Sequence, residues 1–417
     1  MKTLITLLLL FSPSLLFAQT PRQDFFSIAS DAFDKQPENY LAPLKAINNG
    51  KTDTVDHMSL NMWQQVMMSD ESYIANYDSV LYYSDRTQLR QVYTQQVRCD
   101  TAFVKEHTLV NAADYITGIA SQHRVVMINE AHHLPYHRAF VLPMLKKFYA
   151  SGYRYLALET LDDTAINQKS YPDHFSGTYS NEPLYGEMIR EALKLHFKLV
   201  KYESGIPCDH KGSDPMYCLR FRDSLMAVKL ASVIKNDPQA KMLVYAGYAH
   251  IFKSSPDGWK KMAQYFKEMS GIEPFSIDLI SQIEHLHPQL DEKEFTAVNN
   301  LAHIKYPVIA LKNNQPWHGQ FVDATVLFPH YLSGDKRPSF YSIDGLREFY
   351  SVKKLHPAQG QLIQAFYADE KAGARIPADQ FMFRSNSEGL YLFKGKYLLD
   401  VKDKNGSLIK ESVIEVR

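Results

Sequence analysis

Residues 125–133 read Val125-Val126-Met127-Ile128-Asn129-Glu130-Ala131-His132-His133. Four apolar residues, three of them β-branched, run straight into a carboxylate and two histidines. An unbroken apolar run of this length, rather than an alternating one, predicts a strand buried on both faces, as in a parallel sheet. The same pattern recurs downstream in Tyr155–Leu158, Phe197–Val200, Met242–Ala246, Phe275–Ile280, Val308–Leu311 and Ala324–Phe328. Helical stretches separate these runs. Ser255-Pro256-Asp257 reads as N-cap, N1 proline and acidic first turn of one helix, and Gly271 as its end. Pro143 falls inside the helix expected over 136–149 and should kink or shorten it. Alternation of strand and helix predicts an α/β fold with a mainly parallel sheet flanked by helices.

Outward from this region the character changes twice. Residues 19–115 show apolar spacing of three and four and predict a helical lead-in. The α/β domain is expected over 116–352. Residues 353–417 predict a helical piece at Leu362–Tyr367 and then a small β unit: Leu390–Phe393, Lys396–Val401, a turn at Lys404-Asn405-Gly406, and Val413–Val416. Residues 1–18, with Lys2 followed by a leucine-rich stretch and Ala18, predict a cleavable secretory signal peptide. Cleavage there leaves 399 residues with a formal charge of −1, destined for a periplasmic or secreted location. No later stretch is apolar enough to span a bilayer, so no stable membrane span is expected after cleavage.

Composition narrows the partners. The chain of 417 residues is 45% hydrophobic and 22% charged, a globular balance. Lys+Arg and Asp+Glu are both 46, which offers no basic surface excess for nucleic acid. A small-molecule substrate or ligand is the expected partner. Three cysteines exclude a disulfide-dense scaffold. In an oxidising compartment Cys208 and Cys218 are expected to pair, closing a short loop worth roughly 2–3 kcal/mol.

Chemistry concentrates at three strand ends. Glu130 and His133 follow the first run, Glu159 ends the second, and Gly247-Tyr248-Ala249-His250 follows Met242–Ala246. Open α/β sheets bind ligands beyond the carboxyl ends of their strands. Glu130, His133, Glu159 and His250 are therefore expected to converge, with histidine as a base near neutral pH and carboxylates to orient it. His132, Arg222, Tyr248 and His318 are expected to line the substrate. The Gly-x-Ser-x-Gly, His-Glu-x-x-His, Cys-x-x-Cys, P-loop and Gly-x-Gly-x-x-Gly motifs are absent.

Glu-Ala-His-His after one strand, Leu-Glu ending the next and Gly-Tyr-Ala-His after a third resemble the erythromycin esterase-like/ChaN-like group of the Tiki superfamily. Arg222-Asp223-Ser224-Leu225-Met226-Ala227 resembles a helix start of its esterase branch. Asn129 stands where that group carries Gly. The resemblance spans roughly residues 120–330. It implies an exported hydrolase that activates water to cleave an ester or amide. His133 would take the proton from water, Glu130 or Glu159 would orient it, His250 would protonate the leaving group or meet the oxyanion, and Arg222 would clamp charge. The resemblance also implies that Glu130, His133, Glu159 and His250 can serve as ligands of a divalent metal (Zn, Mn or Co). Its ChaN branch implies the alternative of a haem- or small-ligand-binding protein that uses the same cleft without catalysis.

Overall fold

The computed structural model describes residues 24–49, 57–86, 96–203, 205–208, 214, 216–255, 258–331, 337–385 and 388–417. Residues 1–18, expected to be a signal peptide, and residues Pro256 and Asp257 lie outside them. At its centre is a six-stranded sheet, parallel throughout. Its order across the sheet is Lys198–Lys201, Tyr155–Leu158, Met242–Gly247, Val125–Glu130, Phe275–Asp278 and Ala324–Thr325. Every residue of Val125–Glu130 and of Met242–Gly247 is buried. That is why these runs show no alternation.

Alternate side chains of those strands enter two different cores. Val126, Ile128, Leu156, Leu158, Leu243 and Tyr245 pack against helices Pro135–Val141, Met144–Ala150 and Pro183–Lys194. Val125, Met127, Ala157, Met242 and Val244 pack instead against helices Tyr217–Asn236 and Met262–Ser270. The result is a helix–sheet–helix sandwich.

The register places the chemistry. Glu130 pairs with Gly247, and Leu158 pairs with Tyr245, two residues short of the same level. The three central strands therefore end together, and the residues that follow them meet at one edge.

Several local expectations are corrected. Val308–Lys312 is not in the parallel sheet. It runs antiparallel to Thr108–Asn111, a strand inside the region expected to be helical. Leu362–Tyr367 is a strand, not a helix, and lies inside an antiparallel sheet of four strands. Its six residues carry both faces of a buried strand, so no polar alternation marks them. The helix expected from 255 starts at Met262, after Lys261, and ends at left-handed Gly271 (φ 70°). Pro143 acts as expected: it divides Pro135–Val141 from Met144–Ala150.

The flanking regions share cores with the rest. Phe25, Phe33, Trp63 and Val66 of the N-terminal helices cluster with Leu362 of the C-terminal sheet. Ile363, Leu399 and Val416 join the same core as the central strands. Cys208 and Cys218 are joined in a disulfide with Cα atoms 5.6 Å apart. Among the described residues, no helix is long and apolar enough to cross a membrane.

Candidate functional site

Glu130, Glu159 and His250 converge where the strands end, and His132 joins them. His132 Nδ1 lies 2.9 Å from Glu130 Oε1, and its Nε2 lies 3.8 Å from Glu159 Oε1. On the opposite side, His250 Nδ1 lies 2.5 Å from Asp223 Oδ1, and its Nε2 lies 3.3 Å from Arg222 Nη1 and 3.7 Å from the same Glu159 oxygen. Two histidine–carboxylate pairs thus present their outer nitrogens to one central carboxylate.

Each member is held from behind. Arg138 is fully buried and donates from Nε and Nη2 to the two oxygens of Glu130, both at 2.8 Å. Its Nη1 donates to buried Glu182 at 3.1 Å, and Nη2 also reaches the His132 carbonyl at 2.8 Å. Glu159 accepts from Arg222 Nη2 at 2.6 Å and from the Gly247 backbone N–H. Arg222 in turn spans to Glu203 at 2.6 Å. Asp223 also accepts from Trp259 Nε1 and from the Met262 N–H that opens the next helix, both at 3.2 Å. His132 is stacked on Tyr179, with ring centroids 3.9 Å apart.

Asn129 ties the edge together. Its amide donates to the Tyr248 carbonyl at 2.9 Å and to Asp278 at 2.8 Å, and its oxygen accepts from Leu279 N–H at 2.7 Å. A glycine there could make none of these bonds. Thr160 and Tyr248, just beyond two of the strands, have left-handed backbones (φ 58° and 48°). Non-glycine residues held so store strain of about 1–3 kcal/mol each.

The electrostatics follow from burial set against these partners. Burial alone would raise the Glu130 carboxyl, but the Arg138 charge and the His132 and Arg138 hydrogen bonds hold it below the usual range. Glu159 is likewise buried, yet His132, His250, Arg222 and the Gly247 N–H keep it low. For His250, burial favours the neutral ring, but the Asp223 hydrogen bond and the Glu159 charge outweigh it and raise its pKa above the ordinary value. Folding stability from this pair is therefore fully present below about pH 6.5 and is lost as pH rises through the raised value. In Asp223→Asn the fall in unfolding free energy between about pH 5.5 and 8.5 should be shallower than in the native chain. Urea titrations at the two pH values check this, and parallel curves for both proteins contradict it.

His133 differs from expectation. It stands outside the carboxylate cluster: its Nδ1 is 3.5 Å from the Tyr248 hydroxyl and its Nε2 is buried without a hydrogen-bond partner. Burial and the neighbouring His132 and Arg138 charges push it down to about 3, which makes it a weak base. The position expected for His133 is taken by His132, because the chain turns directly after Glu130 and brings the nearer ring back over the carboxylate. His318 is exposed, and its Nδ1 faces the carbonyl of Gly319 rather than the cluster. Tyr248 is 43% exposed and meets His132 edge-on, so it borders the site. His137 is fully buried and accepts the Ala131 N–H, a structural tie.

Gly247 is required for space rather than for an unusual φ. A Cβ there would overlap the Nε2 of His132. Gly247→Ala should displace that ring and cost about 1–3 kcal/mol as an overpacked site. The check is a lowered melting temperature together with a shifted His132 ring resonance. An unmoved resonance contradicts the contact.

A metal does not fit these residues. Both oxygens of Glu130 face Arg138, those of Glu159 face Arg222 and Gly247, and each histidine turns Nδ1 to a carboxylate. Among the described residues, no group of three or more His, Cys, Asp or Glu is disposed to hold a metal ion. The expected ligand set of Glu130, His133, Glu159 and His250 is thereby corrected. Guanidinium groups neutralise the carboxylates instead.

Arg138, Asp223, Glu182 and Glu203 were not singled out as site residues in the sequence. Asp223 had a local signal in its place beside Arg222. Arg138 had none, since its position depends on how the turn after Glu130 folds back.

Fold and site together define an α/β protein whose parallel sheet carries a Glu–His–Arg cluster at its carboxyl edge. No family model matches the chain, and no curated protein does. Among solved structures it is similar to the type III effector HopBA1, at 15% identity over 42% of this chain and 89% of that one, with a TM-score of 0.29. It is also similar to RRSP, a MARTX toxin effector domain from Vibrio vulnificus, at 10% identity over 65% and 69% of the two chains, with a TM-score of 0.32. The C-terminal region of Pasteurella multocida toxin matches at 10% identity over 86% and 57%, with a TM-score of 0.31. At these scores none of them assigns a family or a function.

Proposed function

We propose that this chain is an exported hydrolase of the erythromycin esterase-like/ChaN-like type that cleaves an ester or amide of a small molecule. The observation that carries the reading is the pair of histidines, each backed by a buried carboxylate, facing Glu159 Oε1 at 3.8 and 3.7 Å. Glu130 accepts the Nδ1 proton of His132 and so leaves Nε2 to act as base. Arg138 keeps Glu130 ionised, so the carboxylate orients the ring rather than taking the proton itself.

His132 removes a proton from water as the oxygen adds to the acyl carbon. The developing oxyanion is met by Arg222, whose side chain is 41% exposed at the mouth of the site. His250, whose proton affinity Asp223 and Glu159 raise against the effect of burial, gives its proton to the leaving oxygen or nitrogen as that bond breaks. The products are a carboxylic acid and an alcohol or amine. His132 then returns its proton to solvent and His250 regains one, which closes the cycle. Glu159 holds the charge balance between the two rings.

The test is turnover of a broad ester and amide panel by the purified mature chain, paired with its visible spectrum. Turnover lost in His132→Ala supports the hydrolase. A Soret band with no turnover replaces it with the ligand-binding alternative. Export has its own check: N-terminal sequencing of the secreted product should begin at Gln19.

A further inference from the structure

A cavity of about 270 Å³ is lined in part by Tyr179, the ring on which His132 stacks. Helices Phe25–Lys35 and His57–Tyr73 form one wall, and residues 162–181 form the other. Phe26, Phe33, Val66, Tyr73, Phe175 and Tyr179 give it an apolar lining. Phe26 and Phe175 remain 49% and 62% exposed at its rim.

Its charge is one-sided. Asp34, Asp70 and Asp162 line it, and no Lys or Arg does. Asp34 is matched by His174 at 2.7 Å and Asp162 by Lys201 at 2.8 Å. Asp70 has no such match. It is 7% exposed, and its Oδ2 is buried without a hydrogen-bond partner. A buried polar atom left without a partner is costly and calls for a physical explanation, of which a missing ligand is one.

We propose that this cavity binds a small apolar amine, its ring among the aromatic side chains and its ammonium group on Asp70. An apolar pocket with one placed polar group is the usual form of a small-molecule site. Burial, with a smaller contribution from Glu71, pushes the free Asp70 carboxyl up to about 8. The group is therefore protonated at neutral pH. Capture of an ammonium ion forms a carboxylate–ammonium pair and passes the carboxyl proton to buffer. The site is independent of the hydrolase reading, because none of Glu130, His132, Glu159 or His250 lines it.

The experiment is calorimetry of the mature chain at neutral pH with benzylamine and with its neutral counterpart benzyl alcohol, each in two buffers of different ionisation enthalpy. Benzylamine should bind about tenfold or more tightly than benzyl alcohol, as a charge-assisted bond implies. Its heat should depend on the buffer, reporting release of close to one proton. Asp70→Asn should lose both the preference and the buffer dependence while still binding benzyl alcohol. Equal affinity for the two probes, no binding of either, or an amine preference that survives Asp70→Asn overturns the proposal. If Asp70→Asn fails to fold, the comparison of the two probes and two buffers on the native chain decides alone.

Discussion

Arg138→Ala will destabilise the protein by about 3–5 kcal/mol, the cost of removing one partner from a buried ion pair. The guanidinium is fully buried and satisfies Glu130, Glu182 and the His132 carbonyl. Without it, two carboxylates stay in the core with no cation against them. Burial already holds Glu182 above the usual carboxylate range despite Arg138; without Arg138 it would rise further, and Glu130, now held low, would rise too. Arg138→Lys should recover only part of the loss, because an ammonium group cannot reach two oxygens of Glu130 and one of Glu182 in a planar fork. Chemical denaturation at neutral pH measures both variants. A loss below about 1 kcal/mol for the alanine variant would mean that the cluster is not organised around this residue.

His132→Ala will lower kcat/KM on any panel substrate by about 10²–10⁴-fold, the range for a positioned acid–base group. His133→Ala will leave it within about tenfold, because that ring is held neutral and lies outside the carboxylates. The contrast separates two adjacent residues of the same type, so general damage to the loop would not produce it. His250→Ala should resemble His132→Ala, with the greater loss on amides, whose poorer leaving group needs the proton more.

Much of this arrangement was legible in the sequence. The unbroken apolar runs marked strands buried on both faces, and the rule that sites lie beyond strand carboxyl ends picked out Glu130, Glu159 and His250. Two kinds of feature were not legible. One is identity within a turn: His132 and His133 are neighbours, and only the path of the backbone after Glu130 decides which ring faces the carboxylate. The other is pairing between distant segments. Val308–Lys312 carries the same apolar signature as the parallel strands, yet its partner is Thr108–Asn111, about two hundred residues earlier. Leu362–Tyr367 reads as a helix because burial on both faces removes the period-two pattern that would have marked it. Arg138 escaped notice for a related reason. A cation on an apolar helix face reads as surface until its buried carboxylates are placed.

In the proposed reaction His132 and His250, each backed by a carboxylate and meeting at Glu159, act as the acid–base pair that hydrolyses an acyl bond. The most direct test is the turnover of an ester and amide panel by the mature chain and by His132→Ala, with both confirmed folded by circular dichroism. The native chain should hydrolyse panel members measurably, and the variant should lose nearly all of that activity. Hydrolysis that is unchanged in His132→Ala, or a native chain that turns over no member of the panel, would contradict the proposed reaction.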